Sequence, residues 1–352
     1  MKALTLNSNA ELVYGDVSIP EKPEEQACLI RVFAAGICGS DLHRGFDQGA
    51  YHYPLIMGHE FSGTVEEVPH GSRLQPGKHV VIFPLIPCMA CRACQTGDYA
   101  QCNDYDYFGS RRDGGFAEYV WVPEQNLFTV PGHIDLLHAA MTEPCAVSLH
   151  GIRKLRLSGG ERAVVFGGGS IGNMSAQWLR ILGCARIAVV DIDPVKLRIA
   201  EEMGFETLSA TETDPVAAVF EMTDGEGADL VVEACGLPLT YGQAIESAAR
   251  FARVLFLGTL NSDMTLTPDH VSAILRRELR MYGTWNSKIV PRGRDDWSTV
   301  LHYLDREMQV APLVSHTPSL EEGPDIFRRM IEGKEYFNKV IFKVGEKRGQ
   351  LT

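Results

Sequence analysis

The sequence predicts an α/β chain in two parts, a β-rich lobe followed by a doubly wound parallel sheet. Three observations carry this. Short β-like apolar runs between Gly/Pro turns fill the chain up to about residue 150. Beyond it, apolar strands alternate with helical patterns, the signature of a parallel sheet with crossover helices. A glycine-rich turn, Gly167-Gly168-Gly169-Ser170-Ile171-Gly172, falls between one such strand and one such helix.

In the first part, Cys28–Ala34, Phe61–Val68, His79–Phe83 and Phe116–Val122 read as strands joined by irregular loops. In the second, Arg162–Phe166 is a strand, Ile171–Leu182 a helix, Arg186–Val190 a strand and Pro194–Met203 a helix, with further strands at Leu230–Glu233 and Arg253–Leu257. From about Asp296 the chain returns to mixed segments, and Lys339–Val344 reads as a last strand, a candidate to rejoin the first lobe. The expected domains are residues 1–149 with 286–352, and 150–285 between them.

The 352 residues suffice for two domains with sizeable cores. A net charge of −12 without a basic block argues against nucleic acid or an anionic membrane as partner. No apolar run is long enough to span a bilayer, and the opening segment reads as strand and turn, not as a signal peptide. Of nine cysteines, Cys28, Cys38, Cys145, Cys184 and Cys235 are scattered among apolar residues, which suits a reducing cytoplasm.

The other four are clustered. Cys88, Cys91, Cys94 and Cys102 follow C-x2-C-x2-C-x7-C. Each C-x2-C turn aims two sulfurs at one point, so the run is expected to fold around one tetrahedral zinc. Buried or disulfide-bonded cysteines are the rival reading. A four-thiolate site is closed to substrate and staples a lobe, so the chemistry must lie elsewhere.

The glycine turn supplies part of it. Gly167 is expected to make the tight turn and Gly169 to let a pyrophosphate approach the backbone at the start of the helix holding Ile171. Gly172 is expected to allow close helix–strand packing. The next strand ends at Asp191, nineteen positions after Gly172. A carboxylate there accepts hydrogen bonds from a ribose diol and repels a 2′-phosphate, which favours NAD over NADP. The rival is a glycine turn in an α/β domain without cofactor.

Three fragments suggest a second metal site: Gly36-Ile-Cys38-Gly-Ser40-Asp41-Leu-His43, Gly58-His59-Glu60, and Glu143-Pro144. Cys38, His59 and a carboxylate would give zinc three protein ligands and an open position, the catalytic pattern. Singly, each fragment is ambiguous: a lone Cys is most often core, and a lone His is usually a surface or hydrogen-bonded residue.

In combination these motifs resemble the zinc-dependent medium-chain alcohol and sorbitol dehydrogenase superfamily, from the first strand to the last. The resemblance implies a GroES-like β-rich catalytic domain and a Rossmann-type NAD-binding domain, with one structural and one catalytic zinc. It implies Cys38, His59 and Glu143 as catalytic-zinc ligands of the polyol type, with Glu60 either ligating or lying just behind. Ser40 and His43 would pass the hydroxyl proton to solvent as an alkoxide expels hydride to NAD. A homo-oligomer, dimer or tetramer, is expected.

Within the superfamily, Tyr105-Asp-Tyr107-Phe-Gly-Ser-Arg111-Arg112, Pro84–Cys91 and Gly283-Thr-Trp285-Asn286-Ser287 are similar to the galactitol-1-phosphate 5-dehydrogenase group. That implies a small-molecule polyol or polyol phosphate as substrate; an unphosphorylated hexitol or a sugar acid is the nearest competitor. Arg111 and Arg112, or the basic group Lys288, Arg292 and Arg294 after Trp285 and Asn286, are candidates to hold the phosphate. Arginines paired with Asp104, Asp106 or Asp113 are the alternative. A zinc-free quinone reductase would lack both metal motifs, and a non-catalytic NAD-binding regulator would have no use for the second.

Overall fold

The strand Ala27–Gly36 organises the first unit of the structure, a computed structural model that describes residues 1–23, 26–290 and 295–345. This strand pairs antiparallel with Glu60–Glu67, with Tyr119–Pro123 and with Lys339–Lys343. The sheet runs Leu127–Thr129, His79–Ile82, Glu60–Glu67, Ala27–Gly36, Lys339–Lys343, Val314–His316, with Tyr119–Pro123 also on the central strand. A smaller sheet joins Glu11–Asp16, Lys2–Ser8 and Leu55–Ile56. The tail strand does rejoin the first lobe: Ile341 lies opposite Gly36. Packing draws it in, because Phe342 meets Phe116 with ring centroids 5.1 Å apart in the core. Phe116 itself, read as strand, is core anchor instead; its N–H bonds to the Met57 carbonyl and the strand begins only at Tyr119.

The second unit is a six-stranded parallel sheet in the order Glu206–Ser209, Arg186–Asp191, Arg162–Phe166, Ala228–Glu233, Ala248–Phe256, Arg280–Gly283. The chain works outward on one side and then on the other. The ends of Arg162–Phe166 and Ala228–Glu233 therefore flank the switch point where α/β sheets bind ligands. Helices between strands start on local signals. Asp193 and Asp214 accept hydrogen bonds from Val195 and Val216 N–H at 2.8 and 3.1 Å, each followed by proline in the first turn. Val164, Phe166, Val231 and Val254 pack in the core of the sheet. The edge strands Glu206–Ser209 and Arg280–Gly283 are mostly half-buried and partly polar, so neither presents an apolar run to a sequence reading.

The two units are Met1–Pro144 with Lys288–Thr352, and Cys145–Ser287. The divisions fall five residues before and two after those expected. The first lies inside the helix Thr142–Lys154, whose first turn carries Glu143. Among the described residues, no helix is long and apolar enough to cross a membrane.

Candidate active site

Cys38 precedes the helix Gly39–Phe46, and the Asp41 carboxylate accepts a hydrogen bond from the Cys38 N–H at 3.0 Å. His59 and Glu60 arrive at the start of the neighbouring strand, where Glu60 lies opposite Gly36. Gly58 before them has φ +92°, and a Cβ there would strike the Phe116 ring, so only glycine fits this corner. One ligand atom each from Cys38, His59 and Glu60 lies within 4.8 Å of the others. Thiol, imidazole and carboxylate converging with no fourth protein donor in the set fit a zinc ion that keeps an open position.

Charged groups behind these three fix their orientation. Asp41 is fully buried; its Oδ1 lies 3.4 Å from His59 Nδ1 and 3.0 Å from Arg44 Nη1. A carboxylate at Nδ1 leaves Nε2 as the ring's free donor atom, the arrangement usual for a metal-bound histidine. Burial opposes the Asp41 charge, yet His59, Arg44 and the Cys38 N–H hold its carboxyl below the ordinary value. Burial likewise opposes charge on His59, and Asp41 and Cys38 together raise it well above the usual imidazole value.

Glu60 is held from the other side. Lys339, at the start of the tail strand, is buried, pairs with Glu60 Oε2 and donates to the Ile37 carbonyl at 3.0 Å. A side chain at position 36 would occupy the place where the Glu60 carboxylate meets the lysine. Glu143 is buried nearby but outside the three-residue set. Burial pushes its carboxyl up to about 7 against the pull of His59, and the Tyr107 hydroxyl donates to it at 3.4 Å. Ser40 is exposed and His43 half-buried on one face of the helix, His43 Nδ1 lying 3.3 Å from Asp47.

Cys88, Cys91, Cys94 and Cys102 come together as free thiols. Sulfur–sulfur separations are 3.9 Å (Cys88–Cys94), 3.6 Å (Cys91–Cys94) and 3.9 Å (Cys91–Cys102). Zinc–sulfur bonds of about 2.3 Å in a tetrahedron require edges of about 3.8 Å, so the four fit zinc closely. Backbone N–H groups of Asn103 and Cys94 draw the Cys91 thiol down to about 6, while burial pushes Cys94 up to about 12.

In the other unit, Gly167 takes φ +106°, and a Cβ on Gly172 would overlap the Gly167 carbonyl. Gly172 thus serves the turn itself as well as the strand behind it. Gly169 has open space around its Cβ position, and it precedes the helix Ser170–Ile181, whose first N–H groups, Ile171 and Gly172 among them, have no side-chain cap. Asp191 is tied into the turn: it accepts from the N–H groups of Gly168, Ile192 and Asp193 at 2.7–2.9 Å, with Lys196 Nζ at 3.9 Å.

The substrate candidates separate. Arg112 pairs with Asp106 at 2.5 Å and Lys288 with Asp98 at 2.9 Å. Arg111 stacks on tyrosine rings. Trp285 is exposed, Asn286 sits at φ +57°, and both belong to the second unit; Arg292 and Arg294 lie outside the described residues. Sequence reasoning missed three residues as site members. Asp41 follows Cys38 by three and could have been found as a helix-cap carboxylate. Tyr107 stood inside a family motif, but nothing in it marked the contact with Glu143. Lys339 could have been flagged as a charge opening an otherwise apolar strand.

Comparison with known proteins agrees. Residues 24–132 match the alcohol dehydrogenase GroES-like domain and residues 170–306 the zinc-binding dehydrogenase domain. Galactitol 1-phosphate 5-dehydrogenase of Escherichia coli K12 is 33% identical over 341 residues, 95% of this chain and 99% of that protein. The crystal structure of galactitol-1-phosphate dehydrogenase from Escherichia coli superposes with a TM-score of 0.91 at 32% identity, covering 97% of this chain and 100% of that one. A zinc-binding dehydrogenase of Sinorhizobium meliloti 1021, bound to NADP, gives 0.89 at 32% identity over 97% and 98% of the two chains. With its GroES-like and Rossmann-type domains and its full-length relatives, the chain belongs to the zinc-binding, medium-chain alcohol and polyol dehydrogenase family.

Proposed function

We propose that this protein oxidises a secondary hydroxyl of a polyol or polyol phosphate, a galactitol-1-phosphate-like substrate, with NAD as acceptor. The observation that carries the reading is the convergence of Cys38, His59 and Glu60, with Glu143 buried beside them, in a chain one-third identical to a galactitol 1-phosphate 5-dehydrogenase. When bound, zinc supplies the Lewis acidity that acidifies a substrate hydroxyl, and the nicotinamide supplies the hydride acceptor.

The chain's own residues do the rest. Cys38 and His59 hold the metal together with Glu60 or Glu143, and Cys88, Cys91, Cys94 and Cys102 hold the structural ion. Asp41 keeps His59 in the tautomer that offers Nε2. Lys339 neutralises one oxygen of Glu60, so the set carries less negative charge than its carboxylates alone would bring. Ser40 Oγ receives the hydroxyl proton, and His43, one turn along the same helix face, delivers it to solvent. Gly167, Gly169, Ile171 and Gly172 present backbone N–H groups to the pyrophosphate, and Asp191 faces the adenosine ribose.

The test is NAD reduction against hexitols, hexitol phosphates and aldonates. Turnover confined to polyols or their phosphates, abolished by Cys38→Ala, is the expected result. No turnover with any of them would leave the chain a nucleotide binder.

A further inference from the structure

We infer that Arg111 is the anchor for a phosphate monoester at the end of the substrate remote from the reacting carbon, which makes it the specificity-determining residue of the site. The inference rests on the polyol reading above and deepens it. Its guanidinium carbon lies 4.1 Å from the centroid of the Tyr105 ring and 5.0 Å from that of Tyr51. One nitrogen, Nη1, donates to the Tyr105 carbonyl at 2.7 Å. Among the described residues no carboxylate lies within ion-pair distance of it, in a chain with 45 acidic side chains against 33 basic ones. Its neighbour shows the contrast, because Arg112 is spent on Asp106.

Stacking on tyrosine rings leaves a guanidinium its edge. That edge is the part that meets an oxyanion with two parallel N–H donors. The loop that carries Tyr51 is tied to the arginine: the ring nitrogens of His52 lie 3.0 Å from the Pro54 carbonyl and 3.2 Å from that of Arg111 itself. A run of ring contacts also links the arginine to the imidazole of the candidate metal site. The Tyr105 ring meets Tyr107 at 6.1 Å between centroids, and Tyr107 meets His59 at 5.8 Å. A held, uncompensated guanidinium at the end of that aromatic run recognises a terminal oxyanion. A phosphate monoester, with more charge and more oxygens than a carboxylate, uses it best.

The experiment compares wild type with Arg111→Gln, Arg111→Lys and Arg112→Gln, after equal thermal midpoints establish that all are folded. Calorimetric titration with galactitol 1-phosphate reads binding independently of turnover. Kinetics with galactitol 1-phosphate, galactitol and a hexonate read specificity. For Arg111→Gln the expected result is a loss in affinity for galactitol 1-phosphate of about 10–100-fold, the worth of a charge-assisted hydrogen bond. The ratio of kcat/KM for galactitol 1-phosphate over galactitol should fall by as much, through KM, and lose its sensitivity to salt. Arg111→Lys should restore part of the loss, and Arg112→Gln should leave the ratio high. Equal affinity in wild type and Arg111→Gln, or no binding by either, overturns the anchor even if polyols are oxidised. An Arg111-dependent preference for the hexonate overturns the phosphate assignment. Arg111-dependent binding without any turnover upholds the anchor and sinks the dehydrogenase reading alone.

Discussion

Lys339, the first residue of the chain's last strand, holds the carboxylate of Glu60, the residue that follows His59 in the candidate metal site. Both are buried, and no other cation is ion-paired with Glu60 among the described residues. Removing one partner of a buried pair leaves an uncompensated charge, which costs about 3–5 kcal/mol. Lys339→Met should therefore lower the stability of the metal-free protein by about 3 kcal/mol in urea unfolding. Zinc should offset part of that loss, because Glu60 then has the ion as its counter-charge. A loss below about 1 kcal/mol would mean that the pair contributes little net energy.

Metal content should be two zincs per chain by elemental analysis. Cys88→Ser should retain one and lose several kcal/mol of stability, since structural zinc binding is folding energy. Cys38→Ala should also retain one, keep its fold and lose turnover. Two tightly held zincs in Cys88→Ser would refute the structural assignment.

Asp41→Asn should weaken zinc at the open site about 10–100-fold in chelator competition, with the four-cysteine ion unaffected. The reason is the 3.4 Å contact with His59: an amide no longer selects the Nδ1–H tautomer or raises the basicity of the ligating nitrogen as a carboxylate does. Asp41→Ala should be worse, because Arg44 then loses its partner too.

Cofactor preference should be NAD over NADP. Each tenfold of preference needs only about 1.4 kcal/mol, which a carboxylate facing a 2′-phosphate readily supplies. Asp191→Ala should erase the preference and lower affinity for both cofactors, because it also frees the Gly168 N–H that shapes the turn. Lys196, 3.9 Å from Asp191, offsets part of that repulsion. Comparable kcat/KM with both cofactors in the wild type would remove the argument.

Much of this architecture was legible in the residues, and the rest was hidden for identifiable reasons. Arg162–Phe166 and the glycine turn after it announce themselves because a buried parallel strand is a continuous apolar run and the turn requires glycine at Gly167 and Gly172. The cysteine lobe is legible because its four cysteines lie within fifteen residues. The strands Glu206–Ser209 and Arg280–Gly283 were not, since an edge position demands no apolar pattern. Lys339 gave only a local hint, a charge opening an apolar strand; its role stayed hidden because its partner is 279 positions away. Arg111 and Arg112 look equivalent in sequence; only the fold gives one to Asp106 and the other to tyrosine rings.

The return of the tail strand to the first lobe also sets an order of events during synthesis. At about 5–20 residues per second, a ribosome adds Lys339 some 15–55 s after Glu60. Throughout that interval the nascent first lobe has Cys38, His59 and Glu60 but not the strand that completes its central sheet and neutralises Glu60. The Rossmann-type unit, contiguous from Cys145 to Ser287, has every strand it needs before then. The nucleotide-binding half can fold as it emerges, while the metal-binding half must wait for nearly the whole chain. A translation stall between residues 288 and 339 should therefore yield a product that binds dinucleotide and fails to retain the catalytic metal.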